Sequence, residues 1–204
     1  MMVELRKRKA PAATPVVIKR SKPAPEPKEA DIKDQAWAQT VPHVDDILDL
    51  EGFGGEIEIN DGTKITLKKL VDDSTTGVVL FTYPRASTPG CTKQACLFRD
   101  YHEHLTSTGL SIYGLSADST KANTTFKTKH DLSYPLLCDS NATLIAAIGL
   151  KKSPKGTIRG VFAVDKKGKV LLREPGGPEV TVNAVQKLVA QGAAKEDTQD
   201  ADSS

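Results

Sequence analysis

The sequence predicts one α/β domain with a mixed central sheet flanked by helices, and three observations carry that prediction. Strand-like apolar segments alternate with helix-length amphipathic ones from residue 40 to about residue 190. Residues 78–83 form a nearly unbroken apolar run, as a central strand covered on both faces must. Short turn signals join strand-like segments into hairpins near both ends of the domain.

In chain order, Ile57 and Ile59 and then residues 64–67 alternate around Asn60-Asp61-Gly62, which predicts an N-terminal hairpin. The buried strand at 78–83 follows, then a helix from Pro89 to about Leu105, a strand over 110–115 and a helix over 121–130. A short strand is expected at 134–138, and a helix over 141–148 with Asn141 available as its cap. Strands at 158–164 and 169–173 flank an Asp165-Lys-Lys-Gly168 turn, and a helix over 180–190 closes the domain. This order is compatible with a thioredoxin-like fold carrying an N-terminal hairpin extension.

The chain has 204 residues, 38% of them hydrophobic, enough for one well-cored domain plus flexible ends. No apolar run approaches the roughly 20 residues of a membrane helix, and no apolar stretch follows the basic start as in a signal peptide. The expectation is an intracellular protein with no membrane partner. Three cysteines, an odd number, speak for reduced thiols and against a disulfide framework.

Charge is unevenly spread. Residues 1–28 carry eight cations against Glu4 and Glu26, a net +6, which leaves −4 for the remainder of a chain whose total is +2. With prolines at 11, 15, 23, 25 and 27, residues 1–36 read as a disordered basic tail. Residues 191–204, with Glu196, Asp197, Asp200 and Asp202, read as an acidic disordered tail. Two basic clusters, Arg6-Lys-Arg-Lys9 and Lys19-Arg20, lie nine residues apart, a bipartite spacing that suits a nuclear import receptor and hence nuclear localisation. No aromatic residue stands between these cations to stack on bases, so direct nucleic-acid binding is left open.

The segment richest in chemistry is Tyr83-Pro84-Arg85-Ala86-Ser87-Thr88-Pro89-Gly90-Cys91-Thr92-Lys93-Gln94-Ala95-Cys96. Thr88 before Pro89 is a helix-start signal, with the hydroxyl residue as N-cap and proline where its missing N–H costs nothing. Cys91 then falls at the third helical position, where free backbone N–H groups and the positive end of the dipole favour a thiolate. Ala95, Phe98, Tyr101 and Leu105 share its helical face and point it toward the core. A free cysteine is commonly just a small buried hydrophobe, but the threonine-proline-glycine context favours function here.

Pro84-x-x-x-Thr88-x-x-Cys91 resembles the P-x-x-x-T/S-x-x-C signature of peroxiredoxins, and a second cysteine five residues on resembles their peroxiredoxin-Q, or bacterioferritin-comigratory-protein, branch. The resemblance covers most of residues 45–190, including Gly114-Leu-Ser-Ala-Asp118, Pro135-Leu-Leu-Cys-Asp139 and Arg159-Gly-Val-Phe-Ala-Val-Asp165, and with its basic tail the chain is similar to fungal nuclear members. It implies a thiol peroxidase acting on hydroperoxides, hydrogen peroxide and alkyl hydroperoxides alike. Cys91 would be the peroxidatic cysteine and Cys96 its intramolecular disulfide partner, reset by thioredoxin. Thr88 would bind the peroxide, Pro84 would shield the thiolate, and Arg159 rather than Arg85 would be the partner cation. No cofactor and no metal is implied, and the analogy suggests a monomer. Cys138, where the branch more often has serine, reads as a structural thiol, with a minor resolving or sensor role left open.

Competing signals are weaker. His102 and His104 are two apart and face different sides of a helix, so they read as solvated residues. Gly52-x-Gly54-Gly55 has no following helix and lysine to hold a nucleotide. A disulfide oxidoreductase would ordinarily need C-x-x-C, and four residues separate Cys91 from Cys96. A non-enzymatic chromatin module would use the basic tail but leave Thr88 and Pro84 unexplained.

Overall fold

The computed structural model describes residues 41–196, with side chains as far as Gly192, all within the compact unit Trp37–Ser204. The expectations for residues 1–36 and 197–204 lie outside the described residues. In chain order the elements are β1 (Glu56–Ile59), β2 (Lys64–Thr66), α1 (Leu67–Asp73), β3 (Gly77–Thr82), α2 (Pro89–Asp100), α3 (His102–Thr106), β4 (Leu110–Ser116), α4 (Thr120–Lys129), β5 (Leu136–Cys138), α5 (Thr143–Ala147), β6 (Gly160–Asp165), β7 (Val170–Pro175) and α6 (Pro178–Glu196). The strands form one sheet in the order β2-β1-β5-β4-β3-β6-β7. Parallel pairing of β4 with β3 and β5, and antiparallel pairing elsewhere, makes the sheet mixed.

Strand periodicity explains why β3 reads as unbroken apolar sequence: its alternate residues feed two cores. Val79, Phe81 and Tyr83, with Val161 and Ala163 of β6, meet Cys91, Ala95 and Phe98 of α2, Leu105 of α3, Phe126 of α4 and Val182, Val185 and Val189 of α6. Val78 and Leu80, with Phe162 and Val164, meet Leu67, Leu70 and Val71 of α1 and Leu144 and Ile145 of α5 on the opposite face. Burying each such large side chain contributes about 1.5–3 kcal/mol, so both faces are strongly sealed.

The first hairpin turns through Asn60-Asp61-Gly62, where Gly62 sits at φ 93° and Asp61 Oδ1 accepts from the Thr63 N–H at 2.8 Å. Outside the site, the structure departs from sequence expectation in four places. Leu67 does not continue a strand but opens α1, whose N-cap Thr66 accepts from the Lys69 N–H at 3.3 Å. The helix expected over 89–105 breaks at Tyr101 (φ −99°, ψ 8°), which turns that ring out to 44% exposure and off the inner face. Asn141 does not cap α5. Ala142 takes the N-cap position in the left-handed region, φ 53°, and the buried Asp139 carboxylate accepts from the N–H groups of Thr143 and Ile145, each at 2.9 Å. Finally, α6 begins at Pro178 and runs to Glu196, past the domain boundary expected at 190.

Candidate active site

The site forms where the chain leaves β3 and turns into α2. Tyr83 is the last inward residue, its hydroxyl donating to Asn123 Oδ1 at 2.9 Å. Pro84 and Arg85 then lie exposed, and the Ala86 N–H donates to Asp118 Oδ2 at 2.7 Å. Ser87 takes a left-handed φ of 60°, a conformation a non-glycine residue holds only when its surroundings enforce it. Thr88 has the extended backbone of an N-cap, and its carbonyl accepts from the Thr92 N–H at 2.8 Å. Its hydroxyl does not cap α2, as the sequence suggested: the tight turn brings the Arg85 carbonyl within 2.9 Å, and the hydroxyl donates there.

Cys91 occupies the third position of α2 and is 1% exposed. Arg159 reaches it from the residue preceding β6, with Nη2 3.3 Å from Sγ. The same guanidinium donates through Nη1 to the Gly90 carbonyl at 3.1 Å and to Gln94 Oε1 at 2.6 Å, so fixed acceptors on the helix's first turns aim it at the sulfur. A Cβ at Gly90 would stand 3.2 Å from Nη2, so glycine permits this close approach. A guanidinium beside a cysteine sulfur in the first turn of a helix is an arrangement typical of reactive cysteines. Arg85 makes no such approach, being exposed on the loop.

Gln94 went unremarked in the sequence. It is fully buried, and besides accepting from Arg159 it donates through Nε2 to Thr181 Oγ1 of α6 at 3.1 Å. Its spacing of three from Cys91, on one helical face, is the signal that could have found it. Cys96 is half-buried on the same unbroken helix, and all three cysteines are free thiols. Five residues of α-helix separate Cα atoms by about 8.6 Å, whereas a disulfide needs about 4.4–6.8 Å.

Cys138 ends β5, 4% exposed, with Asn123 Nδ2 donating to its sulfur at 3.1 Å. Burial pushes this thiol up from its ordinary value, the Asn123 hydrogen bond opposing that only in part. His104 is exposed, while His102 is half-buried and stacks on Tyr134 with ring centroids 5.9 Å apart. Gly54 is packed so closely on Leu144 that a Cβ would approach Cδ1 to 2.4 Å, a structural reason for part of that glycine cluster. Among the described residues no group of three or more His, Cys, Asp or Glu could hold a metal ion, and no helix is long and apolar enough to cross a membrane.

Thiol redox chemistry at the edge of a thioredoxin-like sheet is the class that this fold and this cysteine define. The chain belongs to the AhpC/TSA family, whose pattern matches residues 52–173. It is 36% identical over 166 residues to peroxiredoxin bcp1 of Schizosaccharomyces pombe, covering 80% of this chain and 76% of that protein. Peroxiredoxin Bcp of Bacillus subtilis is 38% identical over 110 residues, covering 50% of this chain and 70% of the other. The crystal structure of peroxidoxin BcpB from Mycobacterium tuberculosis superposes with a TM-score of 0.59 at 34% identity, covering 68% of this chain and 91% of that one. These relatives set the chain in the peroxiredoxin Q/Bcp branch, and its activity is that of a thiol-dependent peroxidase.

Proposed function

We propose that Cys91 is the peroxidatic thiol, Cys96 the resolving thiol, and Thr88, Pro84 and Arg159 the groups that complete the site. The observation that carries this reading is the 3.3 Å approach of Arg159 Nη2 to Cys91 Sγ at a helix N-terminus. The Cys91 thiolate attacks one peroxide oxygen in line, the O–O bond breaks, and the departing oxygen takes a proton and leaves as water or an alcohol. Arg159 stabilises the charge growing on that oxygen, and Thr88, whose hydroxyl proton is engaged, keeps lone pairs to accept from the peroxide O–H. Pro84, on the loop that leads into α2, takes the shielding role that the signature assigns to it.

The sulfenic acid left on Cys91 condenses with the Cys96 thiol, releasing water and forming the disulfide. Because an intact helix holds the two apart, the first turns of α2 must unwind for this step. A thioredoxin-type dithiol then reduces the disulfide. Hydrogen peroxide and alkyl hydroperoxides both meet these requirements. The enzyme acts as a monomer, and its basic clusters within residues 6–22 engage a nuclear import receptor; removal of residues 1–36 should abolish nuclear enrichment and leave turnover intact.

The test is peroxide consumption coupled to thioredoxin, thioredoxin reductase and NADPH. Cys96→Ser should react once with peroxide and then fail to recycle, and amides 92–97 should exchange faster in oxidised than in reduced protein. Normal turnover of Cys96→Ser would overturn the assignment of the resolving thiol.

A further inference from the structure

The segment that has to unwind is held at two ends by different means. Toward its N-terminus, Arg159 grips Gly90 and Gln94, Gln94 reaches Thr181, and Lys93 pairs with Glu179 of α6. Toward its C-terminus, Phe98 stacks on Phe81 with centroids 4.2 Å apart and Arg99 Nη1 donates to the His130 carbonyl at 2.7 Å. Between the two, among the described residues, lies one side-chain hydrogen bond from a distant part of the chain: the Tyr134 hydroxyl donates to the Ala95 carbonyl at 2.7 Å. Ala95 is the residue immediately before Cys96, inside the stretch whose helical geometry must be lost.

Tyr134 is rigidly mounted for this contact. It is 1% exposed, its ring meets Phe81 edge-on at 5.4 Å and stacks on His102, and its carbonyl accepts from Lys127 Nζ at 2.6 Å. Burial keeps the phenol well above its ordinary pKa, so the hydroxyl remains a donor throughout the working range. When Ala95 leaves its helical position, that buried hydroxyl loses its acceptor.

We infer that Tyr134 is a positioning residue: its hydroxyl, by holding the Ala95 carbonyl, sets how fast α2 unwinds and so divides oxidised Cys91 between two fates. In one, the Cys91 sulfenic acid meets Cys96, the S–O bond breaks, an S–S bond forms and water leaves. In the other, while the helix stays closed, the sulfenate attacks a second hydroperoxide molecule, taking one oxygen to become a sulfinate and releasing water or an alcohol. A firmer clasp favours the second fate. This inference rests on the reading of Cys96 as the resolving thiol.

Tyr134→Phe removes the hydroxyl and keeps the ring, and Tyr83→Phe is its control, since it deletes another buried hydroxyl from the same core whose hydrogen bond goes to Asn123 and not to α2. Reduced full-length proteins are mixed with excess hydrogen peroxide, quenched over time and read by mass spectrometry for sulfenate, disulfide and sulfinate at Cys91. Tyr134→Phe should form the Cys91–Cys96 disulfide roughly three- to tenfold faster than wild type and accumulate correspondingly less sulfinate, as loss of one hydrogen bond predicts. Its first oxidation step should be unchanged, and Tyr83→Phe should partition like wild type. An unchanged partition in Tyr134→Phe, or an equal shift in Tyr83→Phe, overturns the clasp. If wild type itself forms no Cys91–Cys96 disulfide, the reading of Cys96 falls, and the clasp with it.

Discussion

Cys91 and Cys138 are almost equally buried, at 1% and 4% exposure, yet they are buried among different groups. Around Cys91 stand a guanidinium and the start of a helix. Around Cys138 stand a neutral amide and the end of a strand, and burial, helped by the carboxylates of Glu58 and Asp118, raises the thiol's pKa. Burial alone therefore says little about a cysteine's chemistry; what matters is which dipoles and charges were buried with it.

The comparison predicts a graded series of effects. Cys91→Ser should lower peroxide turnover to below roughly 1% of wild type, because a hydroxyl is not ionised at neutral pH and cannot replace the thiolate. Retained activity in the coupled assay would place the chemistry at another sulfur. Arg159→Ala should slow oxidation of Cys91 by roughly 10²–10³-fold, the loss typical of one oxyanion-type donor, as read by rapid mixing with hydrogen peroxide. An unchanged rate would shift attention to Arg85.

Gly90→Ala should bring a smaller, severalfold loss in the same measurement, since the added methyl crowds Arg159 Nη2. Its melting temperature should hold or rise, because alanine is the better helix former. A parallel fall in rate and stability would mean that the methyl disrupts the helix rather than the arginine.

The smallest effect belongs to Cys138→Ser, which should change turnover less than about twofold, as a buried neutral thiol does no chemistry. Its signature is in stability against pH. The folded state holds the Cys138 proton more tightly than the unfolded chain does, so this contribution is full below the ordinary thiol pKa of about 8.5 and is lost as pH rises through the raised value. Urea midpoints of wild type should therefore fall relative to Cys138→Ser between pH 8 and pH 10, and parallel curves would show that the thiol titrates normally.

Local pattern carried most of the fold. The run at 78–83, the Asn60-Asp61-Gly62 turn and the Asp165–Gly168 turn each encode their structure within a few residues. The misses are places where a neighbouring residue takes the expected role or the backbone breaks: Asp139 supplies the cap expected of Asn141, and Tyr101 yields its inward place to a break between two helices. The position of Cys91 at the third residue of α2 follows from Thr88-Pro89, a local cue. The approach of Arg159, 68 residues away, is written in no spacing, and only the family resemblance suggested it. Gln94 leaves only its spacing of three from Cys91, and Tyr134 leaves nothing, because a hydrogen bond to a carbonyl 39 residues distant has no periodic trace.

The two cores differ in what the catalytic cycle demands of them. In the proposed cycle, the one that holds Cys91 opens when α2 unwinds, while α1, α5 and the first hairpin pack on the far side of the sheet in a separate cluster. The sheet thus works as a bulkhead: one compartment can flood and drain with each turnover while the other keeps the molecule afloat. Stability and reactivity are assigned to separate sides of one wall, so a mutation that firms the hairpin side should lengthen the protein's lifetime without slowing its chemistry.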